Sequence, residues 1–262
     1  MKQSWTDGTG SLRSRFLFGS IFAIAPARSR TAWFVPAIAA LAIALVGAGA
    51  NPSLAAGGTI SGRVKYVGTP PTPREVRVTK DKEVCGLHPL FQEDLIVDDG
   101  GGIANAVVIV KGAKDDLKPT EVKFDQKGCD YVPHVLAFPA GSTVDIINSD
   151  GVSHSIHTYV GRESLFNKLQ PWFKKVIPVT IDKPELIQVT CDIHGWMQGW
   201  WVSTDTPYFA VTDDKGNYSI ANVPPGSYTV QVWQEKLGIQ DQKASVKDGA
   251  TATTNFTMKP KG

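Results

Sequence analysis

The pattern of apolar and polar positions changes once along the chain, near residue 57. After this point, short stretches alternate apolar with polar residues, and Gly, Pro, Asn and Asp separate them. An alternation with a period of two predicts β-strands that bury one face. The predicted strands are ISGRVKY, NAVVIVKG, STVDIIN, LIQVTC, YFAVT, NYSIANV, SYTVQVW and TTNFTM. Because helix signals are nearly absent among them, we predict an all-β fold after residue 57.

The first 55 residues have a different pattern. Residues 1–30 contain several basic side chains, and residues 31–50 carry no charge. The small residues Ser53 and Ala55 follow at the spacing that signal peptidase prefers. We therefore predict an N-terminal signal helix within residues 1–55, cleaved near Ala55, and a periplasmic or otherwise exported protein. The alternative is an uncleaved membrane anchor, because about 20 apolar residues can span a bilayer.

The predicted mature protein is nearly neutral. The chain has 27 basic and 25 acidic residues. Five of the basic residues and one of the acidic residues lie in the first 55 positions, so the predicted mature protein keeps 22 basic and 24 acidic residues. A nucleic-acid partner requires a basic surface, so we expect no nucleic acid among the partners. We expect contact with a membrane only through an uncleaved N-terminal segment.

Scarce sulfur-containing residues lie together in the segment CDIHGWM. Cys191, His194 and Met197 come from a chain that has three cysteines and three methionines. They offer a thiolate, an imidazole and a thioether, and soft sulfur with imidazole is a ligand set that favours copper. A fourth ligand is required. The segment NSDGVSHSIH supplies two candidates, His154 and His157, immediately after a predicted strand.

Residues 122–204 resemble the cupredoxins, the family of blue type 1 copper proteins. PHVLAFPAGSTVDIINSDGVSH matches the family pattern PxxLxxxxGxxV that leads to an Asn, a turn and the first His ligand. The CxxHxxM loop is similar to that of amicyanin and plastocyanin. The resemblance implies a Greek-key β-sandwich that holds one type 1 copper ion, with four ligands: His154, Cys191, His194 and Met197. His157 lies three positions beyond His154 on a strand, so we expect it on the opposite face, as a surface residue or an outer partner of the site.

The resemblance also implies roles for the residues around the ion. Asn148 corresponds to an Asn that ties the two ligand loops together and fixes the ligand geometry. Ser155 stands where the family usually has another Asn, directly after the first His ligand. We expect Trp196 to form an apolar rim where a redox partner docks, and a partly exposed His194 to be the route for electrons. Metal binding also implies a lowered pKa for the Cys191 thiol.

Two segments that lie far apart in the sequence resemble the carboxypeptidase regulatory-like, or transthyretin-like, β-sandwich. GTISGRVKYVGTPP and NAVVIVKG resemble its opening strands, and AVTDDKGNYSIANVPPGSYTVQVW resembles its middle. We therefore predict a discontinuous domain of residues 57–113 and 207–262, with the cupredoxin domain, residues 114–206, inserted in it or next to it. The alternative is three domains in series, although the first segment alone is too short to bury a core well.

The remaining cysteines lie outside the predicted copper loop. If copper occupies Cys191, then Cys85 and Cys129 most simply form a disulfide, since the predicted compartment is oxidising. The alternative is a second metal site, of zinc or copper, formed by Cys85, His88, Cys129 and His134.

These observations predict an exported copper protein that transfers single electrons and is not an enzyme. Four ligands leave no position for a substrate, and the chain has five His without the HxH pairs typical of copper oxidases and nitrite reductases. The expected partner is a redox protein such as a cytochrome or a dehydrogenase. The alternative is a copper-binding or metal-free envelope binding module without a redox role, which docks to envelope proteins or glycan.

Overall fold

The structure is a computed structural model that describes residues 57–260. The predicted signal helix lies outside the described residues. Within the described range, no helix combines the length and apolar character needed to cross a bilayer. The predicted all-β fold is confirmed, because the only helix in this range is a single turn. The elements are β1 Gly58–Tyr66, α1 Lys82–Cys85, β2 Val107–Lys111, β3 Glu121–Gln126, β4 Tyr131–Val132, β5 Val135–Pro139, β6 Ser142–Asn148, β7 His154–Val160, β8 Glu163–Gln170, β9 Val176–Ile181, β10 Leu186–Thr190, β11 Gln198–Thr204, β12 Phe209–Val211, β13 Asn217–Val223, β14 Gly226–Gln234, β15 Gly238–Val246, β16 Thr251–Thr253 and β17 Phe256–Met258.

Strands β3 to β11 form one sandwich of two sheets, which we call the inner sandwich. One sheet has the order β5-β11-β10-β7-β8 and the other β4-β3-β6-β9. Alternation along β6 buries every second side chain, as its sequence predicts. The two sheets bury a common core that includes Phe124, Phe138, Ile146, Ile156, Val189 and Trp201.

The two ends of the described chain together form a second sandwich, the outer sandwich. Strand β1 pairs with β13, β16 and β17 in one sheet, and β2 pairs with β12 and β14 in the other, where β12 and β15 are the edge strands. Its core takes apolar side chains from both sheets, including Ile60, Val108, Ile220, Val232 and Phe256. Residues on either side of the inner sandwich therefore share one hydrophobic core.

The two sandwiches pack against each other through a small apolar cluster. Val107 and Ile109 of β2 and Trp233 of β14 contact Val135 and Val202 of the inner sandwich. The neighbouring residues of β2 face the outer core instead, so both faces of this strand are buried. This double burial explains why β2 reads as a continuous apolar run, VVIV, rather than as an alternation.

Candidate metal centre

The strand pairing of the inner sandwich brings the two candidate ligand segments to one end of a sheet. His154 is the first residue of β7, and Cys191 directly follows β10. These strands are antiparallel neighbours in which His157 pairs with Thr190. The start of β7 therefore lies beside the end of β10, although the two segments are 37 residues apart in the sequence (191 minus 154).

Three of the four predicted ligands converge in the interior. His154, Cys191 and His194 are buried, and their candidate ligand atoms all lie within 4.8 Å of one another. The Nδ1 atoms of the two histidines are 3.0 Å apart. The Sγ of Cys191 lies 3.9 Å from Nδ1 of His194. A group of this composition and spacing can hold a metal ion.

The other ring nitrogen of each histidine faces a carboxylate. His154 Nε2 lies 2.9 Å from Oδ2 of Asp150, and His194 Nε2 lies 2.8 Å from Oδ2 of Asp81. A carboxylate only accepts hydrogen bonds, so each Nε2 carries a hydrogen and each Nδ1 is the ring nitrogen that faces the interior. The two Nδ1 atoms and one sulfur therefore point at a common buried position. Such an arrangement favours a cation there.

The environment of Cys191 favours its thiolate form. Burial by itself raises the pKa of this thiol, but its contacts with His154 and His194 and the hydrogen bonds from the backbone N–H groups of Ser155 and His194 outweigh burial. The pKa falls from its ordinary value of 9.0 to about 5. The two N–H groups lie 3.3 and 3.4 Å from the sulfur. Burial also lowers the pKa of His154, whereas Asp150 and Cys191 raise it, and the net shift is upward.

Met197, the fourth predicted ligand, lies in the same buried region. Its side chain is fully buried in the inner core together with that of Cys191. Its backbone N–H donates to the carbonyl of His194 at 2.9 Å, which closes the loop after the predicted Cys and His ligands. The loop thus directs the thioether into the protein.

The two predicted outer residues differ in what they contact. The side-chain amide of Asn148 donates to the carbonyls of Val152 and Gln170, and its Oδ1 accepts from the N–H of Asp150. It shapes its own turn and does not tie the two ligand loops together as expected. That connection is made by Ser155, whose backbone N–H donates to Cys191 Sγ and whose Oγ accepts from the N–H of Asp192 at 2.8 Å.

The expected exposure of His194 is wrong. Its side chain is 0% exposed, because Asp81 from the connection between β1 and β2 lies against its outer nitrogen. Trp196 is half-buried; its ring lies 5.1 Å from that of His194, and its Nε1–H donates to the carbonyl of Cys129. The prediction considered only the inner sandwich, in which this ring would be open to solvent. The sequence does not reveal that the connection between β1 and β2 covers the ring.

Cys85 and Cys129 form a disulfide, as the simpler of the two interpretations predicted. A second metal site that includes both thiols is therefore excluded. His88 is exposed, and His134 instead contacts Glu235 and Glu93. The bond joins the segment that follows β1 to the β3–β4 loop of the inner sandwich.

His157 lies outside the group of converging ligands. Its ring contacts the carboxylate of Asp192 at 3.0 Å and the hydroxyl groups of Ser164 and Tyr159. It takes part in a polar surface network beside the ligand loop.

Sequence reasoning missed the two carboxylates that contact the ligands. Asp150 could have been noticed, because it lies in the turn four residues before His154. Asp81 lies 113 residues before His194 and belongs to no recognised motif, so nothing in its sequence context indicated a role.

Comparisons with known proteins find two kinds of similarity. The family model of the carboxypeptidase regulatory-like domain matches residues 201–259, which include the end of β11 and all strands from β12 to β17. No curated protein matches the sequence significantly.

Structural similarity is found to a copper-containing nitrite reductase from Thermus scotoductus (24% identity, 37% of this chain and 25% of that chain, TM-score 0.30). It is also found to a purple cupredoxin from Nitrosopumilus maritimus (21% identity, 32% and 99%, TM-score 0.29) and to amicyanin from Paracoccus versutus (16% identity, 37% and 97%, TM-score 0.30). The match spans about a quarter of the nitrite reductase chain. The chain thus resembles a carboxypeptidase regulatory-like domain in its C-terminal part, and its structural neighbours are cupredoxins.

Proposed function

We propose that this protein binds one copper ion through His154, Cys191, His194 and Met197 and transfers single electrons. The observation that carries the proposal is the pair of buried Nδ1 atoms 3.0 Å apart, each on a ring whose Nε2 faces a carboxylate. The nearby thiol of Cys191 has a lowered pKa and completes a soft, anionic donor set.

The donor set fits copper better than other common ions. A thiolate, two imidazoles and a buried thioether match the trigonal His₂Cys site with a weak axial Met, whereas magnesium and calcium prefer oxygen ligands. Copper held by these residues would supply a centre that exchanges single electrons. The chain holds these donors in place: carboxylates contact the outer nitrogen of each ring, and the N–H groups of Ser155 and His194 donate to the sulfur.

The burial of the donors favours electron transfer over the two alternatives. A copper carrier must expose its ion in order to release it, yet all four donor residues are buried and one histidine is covered by another segment. A copper enzyme needs an open position for its substrate, and a site with four protein donors would leave none. We therefore propose a carrier of electrons without catalytic activity.

The proposed partner and location follow from the same features. The disulfide supports an oxidising compartment, and hence an exported, periplasmic protein. The proposed partner is a redox protein such as a cytochrome or a dehydrogenase. It would approach near Trp196, whose ring packs on that of His194.

The proposal is tested by adding Cu(II) to the purified protein and recording visible spectra and metal content. We expect one copper ion per chain and an intense thiolate-to-copper charge-transfer band. Cys191→Ser should abolish the band. His157→Ala is the matched control, because it removes a nearby histidine that does not face the sulfur, and it should keep the band. A colourless protein after copper addition, or a band that persists in Cys191→Ser, contradicts the ligand assignment.

A further inference from the structure

The segment before β2 contributes to the metal centre although it belongs to neither ligand loop. Asp81 comes directly before the single-turn helix α1, in the connection between β1 and β2 of the outer sandwich. Its carboxylate lies 2.8 Å from His194 Nε2, and the side chain of His194 is completely buried beneath it. One of the two ring nitrogens of this histidine is therefore contacted by a residue from outside the inner sandwich.

The side chain of Asp81 is directed away from its usual local role. An Asp in the N-cap position normally accepts from a backbone N–H of the helix that it starts. Asp81 makes no such capping hydrogen bond, and its backbone adopts the left-handed conformation with φ 48°. Asp and Asn tolerate this conformation better than most residues. The local geometry thus directs the carboxylate to the histidine rather than to the helix.

The disulfide joins the segment that contains Asp81 to the loop that donates hydrogen bonds to Asp150, the carboxylate at the other histidine. Cys85 ends the helical turn that Asp81 begins and is bonded to Cys129. The backbone N–H groups of Gly128 and Cys129 donate to the carboxylate of Asp150 at 2.7 and 2.9 Å. Asp150 in turn accepts from His154. The bond between Cys85 and Cys129 therefore lies between the two carboxylates that hold the two histidines.

We propose that Asp81 is a positioning residue of the metal centre, held in place by the Cys85–Cys129 disulfide. Asp81 keeps the hydrogen of the His194 ring on Nε2, so that the Nδ1 lone pair faces Cys191 and His154. The disulfide fixes the position of Asp81 and supports that of Asp150. This inference rests on the proposed copper site, but it concerns the histidine tautomer, which exists with or without the metal.

Substitutions at position 81 distinguish the effect of the carboxylate from the effect of the left-handed backbone conformation. Asp81→Gly removes the carboxylate and still allows the left-handed backbone. Asp81→Asn keeps an oxygen acceptor and also tolerates that backbone. Glu83→Gln is the matched control, because Glu83 is an exposed acidic residue of the same helical turn.

The first measurement uses the metal-free protein. Long-range ¹H–¹⁵N NMR spectra report which nitrogen of His194 carries the hydrogen. We expect Nε2–H in the unsubstituted protein, Asp81→Asn and Glu83→Gln, and a mixture of tautomers in Asp81→Gly. The Cys85→Ala/Cys129→Ala variant should show the same mixture although Asp81 is intact. If that variant does not fold, the unsubstituted protein with its disulfide reduced by a dithiol replaces it in the same measurement.

The second measurement is copper affinity, determined by competition with a chelator. Loss of an outer hydrogen-bond partner of a metal-bound histidine lowers metal affinity by about 10- to 100-fold. We expect a loss of this size in Asp81→Gly and a change of only a few-fold in Asp81→Asn.

The outcomes distinguish this inference from the proposed function. If Asp81→Gly lowers only the melting temperature and leaves the tautomer unchanged, Asp81 has a structural role alone and the inference is wrong. If the disulfide variant keeps the Nε2–H tautomer, the role of the disulfide is wrong. If no variant binds copper, the proposed function fails, and the tautomer in the metal-free protein still decides the role of Asp81.

Discussion

The carboxylate of Asp150 accepts hydrogen bonds from three donors. Its two oxygens accept from the N–H groups of Gly128 and Cys129 and from Nε2 of His154. Burial by itself raises the pKa of this carboxyl, but these hydrogen bonds outweigh it and lower the pKa. An ionised carboxylate suits three donors because it accepts at both oxygens and donates nothing. A carboxamide of the same shape has only one accepting oxygen.

We therefore predict that Asp150→Asn weakens both the metal site and the fold. The NH₂ group of Asn must face at least one N–H donor, so the turn loses hydrogen bonds that cost roughly 2 kcal/mol of unfolding free energy. Copper affinity should fall by a few-fold, because the single oxygen of Asn can remain at the place shared by His154 and Cys129 but is a weaker acceptor than a carboxylate. Chemical denaturation and chelator competition measure the two effects. The exposed Asp182→Asn serves as a control, and an affinity equal to that of the control contradicts the prediction.

Met197→Leu tests the proposed axial ligand without disturbing the packing. The side chain is fully buried, and a swap of Met for Leu nearly conserves its volume, so we expect less than about 1.5 kcal/mol loss of stability. The charge-transfer band should remain, since the thiolate is intact. The reduction potential should rise, because a weak donor that stabilises Cu(II) has been removed. Voltammetry of the copper-loaded protein gives the potential, and an unchanged value would exclude Met197 as a ligand.

At the scale of elements, strand β2 explains why some strands were easier to predict than others. Strands with one buried face, such as β6, show the alternation directly in the sequence. Strand β2 is buried on both faces, between the outer core and the cluster that joins the sandwiches. Its apolar run predicts a buried strand, but the sequence does not say which residue faces which core.

Trp233→Ala should destabilise the contact between the sandwiches. Trp233 is buried, and its ring lies 5.0 Å from that of Trp200 across the contact. Truncation of a buried Trp leaves a cavity and costs about 3 kcal/mol or more of unfolding free energy. Ile239→Ala is the control, because Ile239 is 53% exposed on the next strand and should change stability by less than about 0.5 kcal/mol. Equal melting temperatures for the two variants would contradict the assigned packing.

The candidate site was predictable to the extent that local sequence determines it. Cys191, His194 and Met197 lie in one short loop, and their residue types carry the chemistry. His154 was found because a turn follows an alternating strand. Asp81 could not be found in this way, because its contact with His194 depends on how a long irregular connection folds over the other sandwich. The burial of His194 follows from that same connection and was therefore missed as well.

At the scale of the whole molecule, a group of ionisable side chains lies where three parts of the chain meet. His134 of the inner sandwich contacts Glu235, which follows β14, and Glu93 from the connection before β2. Asp130 lies near both Glu93 and His134. A cavity of about 140 Å³ lies beside this group. Glu93, Asp130, His134 and Trp196 are among the residues that line it.

The ionisable groups of this region favour their protonated forms. Burial raises the pKa of Asp130 from 3.8 to about 6, and the nearby Glu93 adds to the effect. Burial likewise raises the pKa of Glu93. For His134, burial lowers the pKa, but Glu235 and the other carboxylates outweigh it and raise the pKa above 6.5. The folded protein therefore binds more protons here than the unfolded chain, and this region loses stabilising free energy as pH rises from about 4 to above 6.5.

The Asp130→Asn variant isolates this effect from other titrating groups, such as the Cys191 thiol, whose lowered pKa acts in the opposite direction. Asn resembles the protonated carboxyl and keeps an oxygen for the N–H of Tyr131, which donates to Asp130 at 2.8 Å. We expect the variant and the unsubstituted protein to be about equally stable near pH 4, where Asp130 is protonated in the folded state. Near pH 7 the variant should be more stable by roughly 2 kcal/mol, below the full value for the shift because the side chain is partly exposed. Chemical denaturation at both pH values measures the difference, and the exposed Asp99→Asn controls for the loss of one charge. A stability difference that is the same at pH 4 and pH 7 would mean that Asp130 ionises freely and does not couple the three parts of the chain to pH.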